Sequence, residues 1–262
     1  MAVLMTGGII HRLQAEDVFD LKKKVKLRFL VASDNHYGQP NTAFEELTKI
    51  FVEKANAFHA TQKIDFTVIN GDIINDDPAF LIPVKAAYDG LKMPYYVSRG
   101  NHDKVATDVW EKHWSMGLNH TFTLKSYTFI VLDSSNIDGK YVSPDLGYLK
   151  QQLDAAFDAK GVYLFIHIPQ HKWEEANNGI ETPAFYHLIK NYSNIKAVFH
   201  GHDHNQDGIY IEQDVPFIFD SHIAGSWGTD YNGFRIVEVL ADNTALTYMM
   251  NPDIVIKKAE LN

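Results

Sequence analysis

Leu27-Arg28-Phe29-Leu30-Val31-Ala32-Ser33-Asp34-Asn35-His36 decides how this chain is organised. Leu27 to Ala32 is short and almost wholly apolar, the pattern of a buried strand. It delivers a carboxylate and an imidazole, Asp34 and His36, at its carboxyl end. The arrangement recurs downstream. Phe66-Thr67-Val68-Ile69 runs into Gly71-Asp72, and Tyr95-Tyr96-Val97 runs into Gly100-Asn101-His102-Asp103. Tyr163-Leu164-Phe165-Ile166 runs into His167, and Ala197-Val198-Phe199 into Gly201-His202-Asp203-His204. In alternating strand-helix folds ligands bind beyond the carboxyl ends of strands, so all five motifs are placed where a site would form.

Helical patterns lie between the strands. Asn41 to Ala60 has Phe44, Leu47, Phe51, Ala55 and Phe58 at spacings of three and four, which predicts a helix. Ala79 to Leu91 and a short stretch around Val109 and Trp110 are also predicted helical. Ser143-Pro144-Asp145 predicts a helix start with proline at the first helical position, followed by an apolar stripe of Leu146, Leu149, Leu153 and Phe157. Segments 119–124 and 127–133 pattern as paired strands. After Phe199 the chain becomes mainly β, with short segments at 207–212, 215–219, 233–239 and 245–250. The expected organisation is a polar lead-in over residues 1–25 and one domain over 26–262. Strands are layered inside and helices lie outside.

Composition narrows the chemistry. The chain has 262 residues, enough for one α/β domain with a sizeable core. With no cysteine, disulfides, zinc-thiolate sites and cysteine nucleophiles are excluded. A metal ion would have to be held by carboxylate, imidazole, amide or backbone oxygen. A formal net charge of −9 argues against a nucleic-acid polymer as partner, which requires a basic face. A small phosphorylated substrate is compatible, because bound cations reverse the local field. No apolar run reaches the length of a membrane helix. The opening MAVLMTGGII lacks a basic start and a cleavage site, so a cytoplasmic protein is expected, an exported one remaining compatible.

Each motif has a plain reading beside a functional one. In Asp34-Asn35-His36, an extended backbone would point both ligands the same way; a loop aspartate and a surface histidine are the alternative. Asp72 sits after Gly71 and has two oxygens for two cations, or simply closes a turn. In Gly100-Asn101-His102-Asp103 the amide oxygen of Asn101 suits a cation, His102 sits beside it, and Asp103 is a candidate orienting partner. The same four residues also suit a turn with Asp103 as helix N-cap. His167 alone would be structural. His202 and His204, two apart after a strand and a glycine, reach two adjacent cations, whereas His200 is assigned to packing. Arg99 is read as a surface residue, with a substrate phosphate as the alternative target.

The motifs and their order resemble the calcineurin-like metallophosphoesterases over about residues 26–240. That resemblance implies a four-layer α-β-β-α sandwich with two mixed β-sheets and a metal site at the carboxyl ends of strands. It implies that Asp34, His36, Asp72 and His204 hold one metal ion and that Asp72, Asn101, His167 and His202 hold a second, with Asp72 shared. The ions implied are two of iron, manganese or zinc; oxygen and imidazole ligands suit all three. A tyrosine three residues after the Gly-Asp aspartate marks the purple acid phosphatases, and Asn75 stands there, so the resemblance is to the non-purple branch.

The implied activity is hydrolysis of a small phosphomonoester or phosphodiester, a nucleotide-like one included, by a metal-bridging hydroxide attacking in line. His102 and Asp103 are the implied catalytic pair, His102 protonating the leaving alkoxide or stabilising charge. The walls of the site are expected in the loops Tyr37-Gly38-Gln39, Asn75-Asp76-Asp77-Pro78, Gln170-His171-Lys172-Trp173 and Ser226-Trp227, whose aromatics either stack on substrate or pack. A phosphoprotein Ser/Thr phosphatase and a non-catalytic scaffold are the competing functions, the latter disfavoured because every ligand position is filled.

Overall fold

The computed structural model describes residues 2–6, 9–13, 24–173, 179–251 and 254–261. The strands in chain order are β1 (Ala2–Thr6), β2 (Ile9–Leu13), β3 (Val25–Ala32), β4 (Phe66–Asn70), β5 (Tyr95–Ser98), β6 (His120–Leu124) and β7 (Tyr127–Leu132). They continue as β8 (Gly161–Ile166), β9 (Ile195–His200), β10 (Ile209–Glu212), β11 (Val215–Phe219), β12 (Phe234–Leu240), β13 (Ala245–Asn251) and β14 (Ile254–Leu261). Helices α1 (Phe44–Thr61), α2 (Leu81–Tyr88), α3 (Thr107–Trp114), α4 (Leu146–Ala155) and α5 (Pro183–Ile189) lie between them. None of these helices is long and apolar enough to cross a membrane.

Two six-stranded mixed sheets form the body. One runs β14-β13-β12-β3-β4-β5, with β3, β4 and β5 parallel and β12 antiparallel to β3. The other runs β10-β11-β9-β8-β7-β6, parallel from β7 through β11 with antiparallel edges. Alternation along the strands makes the layers. Leu27, Phe29 and Val31 of β3 join Tyr163 and Phe165 of β8 in the core between the sheets. Leu30 and Ala32 face the opposite way, against Phe51 and Ala55 of α1. Val162, Leu164 and Ile166 of β8 pack on Leu149 and Leu153 of α4 and Phe185 of α5. The result is the four-layer α-β-β-α sandwich, with both faces of each central strand buried, as parallel sheets require. Phe29 is at the centre of the inner layer. Its ring stacks on Phe66 at 5.1 Å and meets Phe129, Tyr163, Phe165 and Phe199 edge-on.

Several elements differ in detail from the expected ones. Helix α1 begins at Phe44 because Asn41 has φ 61°, outside the helical region. The 79–91 stretch splits into a 3₁₀ turn, Pro78–Phe80, and α2. In α4 the cap is Asp145, whose side chain accepts from the Tyr148 N–H at 2.9 Å, so Pro144 precedes the cap. Phe157 lies beyond that helix and is 72% exposed, so the apolar stripe ends at Leu153. Helix α5 and strands β1, β2 and β14 had no counterpart in the sequence reading.

Candidate metal centre

The three parallel strands β3, β4 and β5 end beside the ends of β8 and β9, and the five motifs meet across that seam. Asp34, His36, Asp72, His167 and His204 are almost completely buried, and Asn101 is 8% exposed. Six of the expected ligands fall into two separate groups, Asp34 with His36 and His204, and Asp72 with His167 and His202. In each group the donor atoms lie within 4.8 Å of one another. His204 Nε2 is 3.1 Å from Asp34 Oδ1, and His36 Nε2 is 3.6 Å from Asp72 Oδ2. His167 Nε2 is 3.2 Å from Asp72 Oδ2 and 3.9 Å from Asp34 Oδ1. His102 joins a further group with His36 and Asp72, closer to ligand distance than its expected place beside the ions.

The backbone achieves this by strain rather than by extended geometry. Asp34, His36, Asp72 and His202 have φ of 57°, 45°, 49° and 67°. Left-handed conformations cost non-glycine residues about 1–3 kcal/mol each and concentrate at functional sites. Asp34 and His36 therefore converge through two left-handed turns, not through an extended i, i+2 pair. Hydrogen bonds hold those turns. Asp34 N–H donates to the Gly71 carbonyl at 3.0 Å and His36 N–H to the Asp72 carbonyl at 2.9 Å. The carboxylates are also held from outside: His202 N–H donates to Asp34 and His102 N–H to Asp72 Oδ1, at 3.0 and 2.7 Å. Two glycines make the closeness possible. A Cβ on Gly71 (φ +88°) would lie 2.3 Å from the His167 ring, and one on Gly100 would lie 2.2 Å from Asp72 Oδ1.

The imidazoles are aimed by their other nitrogens. His167 Nδ1 contacts the Asn70 carbonyl at 2.7 Å and His204 Nδ1 the Trp227 carbonyl at 3.1 Å. A carbonyl only accepts, so Nδ1 carries a proton in each and Nε2 is the nitrogen aimed inward. His36 Nδ1 is 3.2 Å from Asn75 Oδ1. Asn75, at the position of the purple-phosphatase tyrosine, thus orients a neighbouring histidine.

These donors fit cations. Buried Asn101 Oδ1 and His202 Nε2 have no hydrogen-bond partner, a costly state for polar atoms with nothing to bind. His36 Nε2 and His204 Nε2 face each other at 3.0 Å. Burial lowers His36 and His202 to about 4, keeping both imidazoles neutral. Burial opposes ionisation of Asp34, but the charges of His204 and His167 outweigh it and hold the carboxyl at about 2. Burial would also lower His167, yet Asp72 and Asp34 raise it to about 9. Without an ion, a proton on His167 does for the two carboxylates what a cation would do.

Asp103 does not face His102. Its carboxylate accepts from the backbone N–H groups of Ile74 and Gly100 at 2.9 and 2.8 Å, tying two motif loops together, and Ala106 takes the N-cap position of α3. The partner of His102 is Asp76, with Nδ1 3.1 Å from Oδ1, and Asp76 is gripped in turn by Lys104 at 2.8 Å. Burial would raise Asp76, but the Lys104 hydrogen bond and the His102 charge bring it below the ordinary carboxylate range. The sequence placed Asp76 only in an expected wall loop, Asn75-Asp76-Asp77-Pro78. Arg99 is not at the surface. It is 4% exposed, bidentate to Asp133 at 2.6 and 3.2 Å, and donates to the Val105 and Ser135 carbonyls. Its guanidinium is fully used beneath the 100–105 loop.

Among the expected walls, Tyr37 is buried in the α1 layer and Trp173 stacks on Tyr210 at 5.1 Å, so both pack. Trp227 reaches the centre, lying flat on His204 at 4.4 Å and 7°. Tyr141, unnoticed in the sequence, stands edge-on to His202 at 4.7 Å. His200 is buried against Phe217, with Nδ1 on the Ile166 carbonyl, and serves packing as expected.

Buried carboxylates and imidazoles at the strand ends of a two-sheet sandwich are the layout of metal-dependent phosphoester hydrolases. Residues 27–206 match the calcineurin-like phosphoesterase family, and the chain belongs to it. No curated protein matches the chain in sequence. Solved structures share the fold. A dimetal phosphatase from Danio rerio is 12% identical at a TM-score of 0.75, covering 91% of this chain and 99% of that one. GAP50, the anchor in the inner membrane complex of Plasmodium, is 19% identical at 0.67, covering 91% and 89%. The yellow lupin purple acid phosphatase PPD1 is 12% identical at 0.68, covering 89% of this chain and 53% of that one.

Proposed function

We propose that the chain hydrolyses small phosphomonoesters or phosphodiesters at a two-cation centre. Asp34, His36, Asp72 and His204 would hold one ion, and Asp72, Asn101, His167 and His202 the other. The observation that supports this reading is the pair of buried, inward-aimed polar atoms without partners, Asn101 Oδ1 and His202 Nε2, beside the clustered carboxylates and imidazoles of Asp34, His36, Asp72, His167 and His204. Cations bound there supply Lewis acidity toward phosphoryl oxygens and acidify water near neutral pH.

The chain's own residues do the rest. The strained loops fix seven donors before substrate arrives, so little reorganisation accompanies binding. His102 stands at the opening, its ring 4.8 Å from that of His36 and its side chain 30% exposed. It can donate a proton to a leaving alkoxide or a hydrogen bond to a phosphoryl oxygen. Asp76 sets its ring orientation and Lys104 fixes Asp76. Asp103 takes no part in proton transfer and holds the Ile74 and Gly100 backbones together.

The GAP50 likeness concerns the fold alone, and the complete donor set favours a hydrolase over a scaffold. Metal analysis after expression with Mn, Fe or Zn, followed by a screen of aryl monoesters and diesters, tests the reading. About two ions per chain and turnover of at least one ester are expected. Less than one ion per chain under replete metal would sink it. His102→Ala should keep both ions and lose most turnover.

A further inference from the structure

We propose that the cavity between α5 and the β10–β11 hairpin is a second ligand site, and that it binds an organic cation carrying a primary ammonium group. None of the candidate metal ligands lines it, so the inference is independent of the hydrolase reading. The cavity measures about 260 Å³ and is walled by His171, Glu181, Tyr186, His187 and Glu212, among others. Two carboxylates face it, and no lysine or arginine does.

The observation that points to a ligand is the Tyr186 hydroxyl. Tyr186 is 9% exposed, and its hydroxyl has no hydrogen-bond partner. Buried polar atoms are nearly always paired. The ring is fixed from the core side by Phe217 at 5.4 Å and stands edge-on to His171 at 6.1 Å. Burial, and then the charges of Glu181 and Glu212, push this phenol up, so the field of both carboxylates reaches its oxygen. A phenol oxygen beside two carboxylates is a set of acceptors under negative charge. An ammonium is its complement, with three donors, no acceptor and a positive charge. Bonds from it to the carboxylates are charge-assisted, the stronger kind, and the Tyr186 ring offers a cation–π face.

The walls are in place before a ligand arrives. Glu181 is held by His171 Nδ1 at 2.8 Å and by the Lys172 N–H at 3.0 Å. Glu212 ends β10 opposite Val215, and Gln213 and Asp214 between them have φ of 52° and 63°. That is the two-residue left-handed turn of a tight hairpin, and it fixes where Glu212 stands. His187 is tied back to its own helix, with Nδ1 2.7 Å from the Pro183 carbonyl. Two imidazoles beside two carboxylates also suggest a metal ion. Among the described residues, however, the sets of three histidine or carboxylate donors within 4.8 Å of one another all lie in the metal centre. The groups around this cavity are too spread for one ion, and a molecule with a carbon body spans them.

Titration calorimetry on the full chain, with manganese supplied, tests the site with butylamine, butan-1-ol and butyrate. Butylamine should bind, and the alcohol and the acid of the same carbon chain should not. Tyr186→Phe should weaken butylamine about 10-fold at an unchanged melting temperature, because the oxygen it removes has no partner in the protein. Glu212→Gln should weaken it about 2- to 5-fold, and added salt should weaken the wild type more than this variant. Nα-acetyl-lysine methylamide carries the same ammonium on a peptide unit. Its binding at least as tightly as butylamine supports the site and assigns the cation to a lysine side chain of a partner. Binding of butylamine alone supports it and assigns a free amine. Equal binding of butylamine and butan-1-ol overturns the proposal, as does wild-type affinity for butylamine in both variants. A zinc ion held beyond the two of the metal centre and lost in His171→Ala overturns the ammonium assignment in favour of a metal.

Discussion

Replacing Gly71 by alanine adds a single methyl carbon at the point where three motifs touch. That carbon would lie 2.3 Å from Cγ and Nδ1 of His167 and 2.7 Å from its Cβ. No rotamer change relieves the overlap, because the Cβ of His167 is itself involved. The φ of +88° adds about 1–2 kcal/mol of left-handed strain for an alanine. Overpacking in a close-packed interior adds about 1–3 kcal/mol, so the total is about 2–5 kcal/mol. At about 2–4 °C per kcal/mol for a chain of this size, the melting temperature should fall by about 4–20 °C. The displacement is directional. His167 must move away from Asp72, and the Gly71 carbonyl that receives the Asp34 N–H moves with it. Metal analysis should therefore show loss of one ion before the other, with affinity down about 10- to 100-fold as for a disturbed supporting shell. Differential scanning calorimetry and metal titration on the same preparation give both numbers. A variant with the wild-type melting temperature and two tightly held ions would refute the close-packing account.

Further outcomes follow from the same geometry. Asp76→Asn should keep both ions while kcat falls about 10-fold, less than the roughly 10²- to 10⁴-fold that general acid catalysis supplies; an unchanged kcat would detach Asp76 from His102. Arg99→Ala should destabilise by about 2–4 kcal/mol, because it strands the largely buried Asp133 carboxylate; a loss of substrate affinity at intact stability would show that Arg99 reaches substrate. Metal-free protein should be sensitive to alkali. His167 is raised from 6.5 to about 9, so its contribution is full below the unfolded value and lost as pH rises through the folded one. Metal-loaded protein should gain stability over the same range, because the ion replaces that proton. Parallel melting curves against pH for the two forms would contradict this.

Two supports hold the histidines of the centre from behind. The Asn75 amide lies 3.2 Å from His36 Nδ1. It serves the centre by orienting that histidine. Lys104 and Asp76 form a second such support, on the exposed side, for His102. The centre is thus held by neutral amide and carbonyl contacts in the buried part and by an ion-paired carboxylate at its mouth.

The strands of the core and the motifs at their ends were legible because they depend on local pattern. Leu27 to Ala32 and Phe66 to Ile69 announce themselves by apolar runs, and Gly71-Asp72 or Gly201-His202-Asp203-His204 by their position after such runs. Strands β1, β2 and β14 and the seven-residue helix α5 lack that contrast, and no local signal marked them. What only the tertiary structure decided was the pairing of side chains from different loops. Asp103 sits next to His102 in sequence but bonds the Ile74 and Gly100 backbone, while Asp76, twenty-six positions away, takes the imidazole. The left-handed turns at Asp34, His36, Asp72 and His202 were equally invisible, since sequence alone suggested extended backbone there. Trp227 and Trp173 looked equivalent as loop aromatics until packing placed one on His204 and the other on Tyr210. The order of ligand types along the chain is a one-dimensional property and was written in the sequence. Their supports, their strain and the aromatic packing around them arise where loops from two sheets converge, and only close packing in three dimensions chooses those partners.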